Sequence, residues 1–229
     1  KLLTSYFINM NENRIEKKFV LGKYKDDFVK RLLLVNGFTK QYPDRVINSI
    51  YMDTANFDFA KDNINGISNR KKVRFRWYNK DLQKIYIEVK NKRNFNVWKN
   101  IEKVEPKINE KSLIEYLKKN LNNMKFKYNN NFNHKLVLKT NYKRSYWLSN
   151  NKKIRATIDI NLNTNSINFY KKKIYINDTV LEFKFSPEDE NYFRNFFLNK
   201  ISFLRSQKYS KYVRSFLELE NSGLINSFQ

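Results

Sequence analysis

The chain has 229 residues and a formal net charge of +24, from 46 Lys and Arg against 22 Asp and Glu. It has no cysteine, which excludes disulfides, thiolate metal sites and a cysteine nucleophile, and one histidine, His134, which leaves no pair for His-based catalysis. At 41% hydrophobic and 16% aromatic it can build a core, so the charge calls for a polyanionic partner rather than signalling disorder.

In chain order, alternation predicts a strand at 14–22, and apolar residues at helical spacing (Phe28, Leu32, Val35) predict a helix at 24–36. Strands follow at about 46–53, 69–79, 83–93 and 95–105, then a helix at 109–122 with Leu113, Tyr116, Leu117 and Leu121 as its stripe. The Asn-rich "YNNNFNH" reads as a loop. Further strands are expected near 135–148, 152–162, 167–177 and 179–186, with helices at 188–199 and 211–219. With 4 Gly, 3 Pro and no linker-like stretch, one domain over 1–229 is expected, β-rich and of the α+β class. No apolar run approaches the roughly 18 residues of a membrane span. The N-terminus is too polar for a signal peptide. The chain begins with Lys1, so a longer parent chain with an anchor outside this sequence stays open.

The strands sort their side chains by charge. In "KKVRFRWY", alternation puts Lys72, Arg74 and Arg76 on one face and Val73, Phe75 and Trp77 on the other. "RIEKKF" sets Arg14, Glu16 and Lys18 opposite Ile15, Lys17 and Phe19. "KIYIEVKNK" sets Tyr86, Glu88, Lys90 and Lys92 opposite Ile85, Ile87 and Val89. Arg155, Thr157 and Asp159 oppose Ile154, Ala156, Ile158 and Ile160; Glu182 and Lys184 oppose Leu181, Phe183 and Phe185. Tyr142, Arg144 and Tyr146 share a face. An open sheet with one solvated face gives such alternation. A closed antiparallel barrel gives it too, with the charges inside a tunnel and the large apolar residues packed outside by helices. Cations at such density repel one another when the space is empty and suit phosphate oxygens when it is filled. Glu16, Glu88 and Glu182 either hold a hard divalent cation or pair with neighbouring Lys and Arg.

The blocks "RIEKKF", "INSIYMDT", "INGISNRKKVRFRWY", "IYIEVK", "NYKRSYW", "IRATID", "LEFKF" and "KYSKYV" occur in the order seen in VTC domains, the polyphosphate polymerase domains of the vacuolar transporter chaperone type. The resemblance spans about residues 12–216 and places the chain among the triphosphate tunnel metalloenzymes. It implies a closed antiparallel barrel of about eight strands with a few packing helices. It implies ATP-dependent extension of inorganic polyphosphate, with Mn2+ or Mg2+. By motif, Lys18, Arg74, Arg76, Arg144, Arg155 and Lys211 take catalytic positions. Lys90, Lys103, Lys184 and Lys208 take ATP- or polyphosphate-binding positions, and Glu182 and Glu16 the metal. The basic element after the second E-x-K strand is blurred, so Lys99 and Lys103 both remain open, and Arg70 is a further upstream candidate. A metal-dependent triphosphatase, or a non-catalytic polyphosphate- or nucleic-acid-binding module, is the alternative. Nucleic acid is disfavoured because the aromatics oppose the charges. A cytoplasmic location is expected, with a membrane partner subunit or domain left open.

Overall fold

A computed structural model describes residues 8–11, 14–22, 26–94, 96–121, 134–169, 171–201 and 203–227; most of the Asn-rich loop lies outside them. The strands are β1 (Ile8–Asn11), β2 (Ile15–Val20), β3 (Phe38–Thr54), β4 (Arg70–Tyr78), β5 (Asp81–Arg93), β6 (Asn96–Val104), β7 (His134–Ser149), β8 (Arg155–Ser166), β9 (Ile174–Ile176) and β10 (Val180–Phe185). They form one 10-stranded antiparallel sheet in the order β1-β6-β5-β4-β3-β7-β8-β10-β2, with β9 attached to β8. The path ends at β1 and β2, which do not pair among the described residues, so the expected closed barrel is a curled, open sheet. A later segment takes the free edge of β2 instead. Phe19 bridges to Ser206, and the Gln207 amide donates to the Lys18 carbonyl at 2.9 Å. Side chains complete the curl, since Lys90 of β5 reaches Glu16 of β2 at 3.7 Å.

The curl has a local cause. β3 pairs β7 with register shifts at Lys40/Tyr42, Tyr42/Arg45 and Tyr51/Met52, and bulges of this kind bend and twist a strand. Pro43 sits inside the second shift, where its missing donor breaks no regular ladder. That proline and the polar residues around it hide the first half of β3, which the alternation predicts only from residue 46.

The convex face is apolar and covered. Helix α1 (Asp26–Val35) starts with Asp26 and Asp27, which suit the positive end of its dipole, and stops at Gly37 with φ 73. It packs Val29 and Leu33 on Phe19, Phe38, Trp147, Ile158 and Phe183. Residues 187–201 join the same core as a chain of short 3-10, α and π turns rather than the single helix predicted there. Phe193 stacks on Phe185 at 4.5 Å, and Phe197 meets Phe183 at 4.7 Å. Phe183 is fully buried, and cutting it to Ala would cost about 3–5 kcal/mol. On the other half, α3 (Leu113–Asn120) packs Leu113 and Leu117 on Phe75, Trp77, Ile85 and Ile87. The strand predicted at 167–177 shrinks to β9, because a turn closed by Lys172 N donating to Phe169 O interrupts it.

Two helices close one end. The buried Asp53 carboxylate accepts the amides of Phe59 and Ala60, each at 2.9 Å, and so caps α2 (Asp58–Ile64). Tyr212 of α4 (Lys211–Asn221) donates to the same carboxylate and stacks on Tyr51 at 4.8 Å. Among the described residues no helix is long and apolar enough to cross a membrane.

Candidate functional site

Residues directly opposed across an antiparallel pair share a face. The register therefore defines the concave face. Arg74 opposes Glu88 and Tyr51; Arg76 opposes Tyr86 and Ser49; Lys72 opposes Lys90, which opposes Lys99. On the other half, Arg144 opposes Asp159, Glu182 opposes Lys18 and Thr157, and Lys184 opposes Glu16 and Arg155.

Glu88 organises the first half. It accepts from Arg74 Nε at 2.7 Å and Arg76 Nη1 at 3.4 Å, and lies 3.1 Å from Lys99 Nζ. Burial pushes its carboxyl up, but Arg74, Arg76 and Lys99 outweigh that and hold it well below the usual carboxylate range. Arg74 also donates to the Tyr51 hydroxyl at 3.5 Å, and Arg76 to the Tyr142 hydroxyl at 3.4 Å. Tyr51 is buried, which alone would raise it; Lys72, Arg74 and Arg76 prevail and lower it to about 7. Lys72, whose Nζ donates to Ser210 Oγ at 3.0 Å, is lowered to about 7, mainly by burial. Arg76 Nε, Ser49 Oγ and Thr140 Oγ1 are buried with no hydrogen-bond partner among the described residues, in one row across β4, β3 and β7. Buried donors of this kind are costly unless a ligand or water meets them.

The second half is richer in carboxylates. Arg144 grips Asp159 bidentately, Nε to Oδ1 at 2.6 Å and Nη2 to Oδ2 at 2.7 Å, and Lys211 reaches Asp159 at 2.5 Å. Glu182 lies 3.6 Å from Lys18 and 3.4 Å from Lys184. Glu16 lies 2.8 Å from Lys184, 3.7 Å from Lys90 and 3.8 Å from Lys18. Burial raises both carboxyls, and the surrounding lysines, with Arg144 for Glu182, pull them below their ordinary values. No group of three metal-ligating side chains occurs among the described residues, so an all-protein cage is not formed. Glu16 and Glu182 do suit a magnesium-like cation, which takes one or two carboxylates and completes its shell with substrate phosphates.

The structure brings Lys18, Arg74, Arg76, Arg144, Lys211, Lys90, Lys184, Glu182 and Glu16 onto this face. Three predicted residues are exposed and lie outside the ion-pair network of this face, although register sets Arg155 and Lys103 on it. Arg155 is exposed at the start of β8 and forms no ion pair with a described residue. Lys103 is exposed and pairs with the equally open Glu105 at 2.5 Å, whereas Lys99 contacts Glu88. Lys208 is exposed, and its charge bears on Lys92. Tyr51 and Asp159 take part without having been assigned a role. Asp159 was legible, being in phase with Arg155 on β8; Tyr51 carried no signal, because a tyrosine amid Ile50 and Met52 reads as core.

The family profile described as VTC domain matches residues 13–219. No curated protein sequence matches the chain. Among solved structures, a candidate adenylate cyclase from Bacillus halodurans superposes with a TM-score of 0.55 at 15% identity, covering 89% of this chain and 97% of that one. A second candidate adenylate cyclase, from Vibrio parahaemolyticus, gives 0.50 at 13% identity, covering 88% and 97%. A conserved hypothetical protein from Pyrococcus furiosus gives 0.50 at 15% identity, covering 87% and 99%. At these identities the structures share the fold. The chain belongs to the VTC domain family.

Proposed function

We propose that the protein is an ATP-dependent polyphosphate polymerase. The observation that carries this reading is the convergence of Arg74, Arg76, Arg144, Lys18, Lys90, Lys99, Lys184 and Lys211 on one concave face. A row of linked phosphates is the polyanion that matches an extended run of forks and point charges. Arg76 supplies a buried Nε with no partner among the described residues, and the Ser49 and Thr140 hydroxyls share its cross-strand row.

In phosphoryl transfer the protein positions reactants and stabilises charge. A terminal oxygen of the growing chain attacks the γ-phosphorus of ATP. The bond from that phosphorus to the β,γ-bridging oxygen breaks, and ADP leaves with the electron pair. Arg74, Arg76 and Arg144 stabilise the charge on the transferred group; Lys18, Lys90, Lys184 and Lys211 hold the flanking phosphates. A divalent cation, Mn2+ or Mg2+, would be held by Glu182 and Glu16 and would neutralise phosphate charge when bound. No protein nucleophile is required, in keeping with a chain that has no cysteine.

Incubation with ATP and Mn2+ followed by polymer detection tests the reading. Long-chain polyphosphate is expected. Free phosphate without polymer would make the protein a triphosphatase, and neither product from folded protein would overturn a catalytic role.

A further inference from the structure

Beyond Arg76 on β4 and Arg144 on β7, the next residues on the same strand face are Tyr78 and Tyr146. Tyr42 meets Tyr146 edge-to-face, centroids 6.0 Å apart at 82°. The Arg45 guanidinium lies 5.7 Å from the Tyr146 centroid and 5.8 Å from that of Tyr78. Tyr78 meets Tyr86 at 5.9 Å and 71°. Register puts this ladder on the phosphate face, since Tyr42 opposes Tyr146, Arg45 opposes Arg144 and Tyr86 opposes Arg76. Tyr146 stands one same-face step beyond Arg144, and Tyr78 one beyond Arg76, about 7 Å along each strand.

Cross-strand aromatic pairing stabilises sheets and accounts for Tyr78 and Tyr86. Pairing with Tyr146 still leaves Tyr42 57% exposed, and Arg45 is an exposed arginine with no ion pair to a described residue. Exposed tyrosine rings and a planar guanidinium at the rim of a phosphate site have the chemistry of a base-stacking platform.

We propose that the Tyr42–Tyr146–Arg45–Tyr78–Tyr86 ladder seats the nucleobase of a nucleoside triphosphate whose phosphates lie on Arg76 and Arg144. This rests on the triphosphate reading of the cationic face. Stacking reads the face of a base rather than its edge, so ATP and GTP are both accepted.

Titration calorimetry of the folded protein with ATP and with inorganic tripolyphosphate tests it, using Tyr42→Ala and Arg45→Lys. Both positions are exposed, and the lysine keeps the charge while losing the planar fork. ATP affinity is expected to fall about tenfold in each variant, while tripolyphosphate affinity stays within twofold. Equal loss for both ligands, or loss for neither, overturns the ladder assignment and leaves the phosphate site standing. Failure of the wild-type protein to bind either ligand overturns the phosphate site and the ladder with it. Melting curves check the folding of each variant, and either one alone suffices.

Discussion

The two halves of the concave face use the same residue types in different proportions. On β4, β5 and β6 the single carboxylate Glu88 faces Arg74, Arg76 and Lys99, with Lys72 near the helix α4 cap. On β8, β10 and β2 the carboxylates Glu16, Asp159 and Glu182 face Lys18, Lys184, Arg144 and Lys211. The first half carries excess positive charge that its own residues cannot neutralise, which is the condition for gripping a polyanion. The second half is close to balanced, and its carboxylates lie where a hard cation on a phosphate chain could exchange with lysines. On the proposed reading, one face is thus divided into a clamp and a counter-ion shelf.

The largest effect is expected from breaking the clamp. Arg76→Met combined with Glu88→Gln, the second change relieving a buried carboxylate that would lose a partner, should lower ATP turnover by about two to three orders of magnitude. Turnover within tenfold of wild type would reduce the arginine half to a structural network. Next comes the shelf: Glu182→Gln should lower divalent-stimulated turnover on the order of a hundredfold while tripolyphosphate binding persists. Undiminished metal stimulation would remove Glu182 from the metal site.

A smaller effect follows from pH. Burial lowers Lys72 to about 7, and the surrounding cations lower Tyr51 to about 7. A bound polyanion favours protonated Lys72 and neutral Tyr51. Binding therefore takes up protons, and affinity falls as pH rises from 6 to 8. In Lys72→Met the slope should flatten by several-fold in tripolyphosphate affinity over that range; an unchanged slope would place the titrating group elsewhere. The smallest effect separates two lysines on one strand face. Lys103→Ala should leave tripolyphosphate affinity within twofold, since its pair is solvated, whereas Lys99→Met should weaken it several-fold. The reverse order would return Lys103 to the site.

Much of this face was legible because alternation is a property of the strand itself. Arg74 and Arg76, Glu88 and Lys90, and Glu182 and Lys184 keep the side that period two assigns them. Other features were not legible. Asp53 reads as a polar residue at a strand end, yet it caps α2 and receives Tyr212 from 159 residues away. The helix predicted at 188–199 breaks into short turns as its phenylalanines fit the core around Phe183 and Phe185.

The sequence by itself determined which side chains share a strand face and that the face is cationic, because side-chain direction follows from the backbone two residues at a time. Lys99 and Lys103 are in phase on β6, and no local rule separates them. Only the curl of the sheet turns Lys99 toward Glu88 and leaves Lys103 in solvent with Glu105. The same curl brings Lys90 to Glu16 across 74 positions of sequence and leaves the path open between β1 and β2. Twist, bulges and packing on the convex side sum over the whole sheet, so those outcomes belong to the tertiary structure.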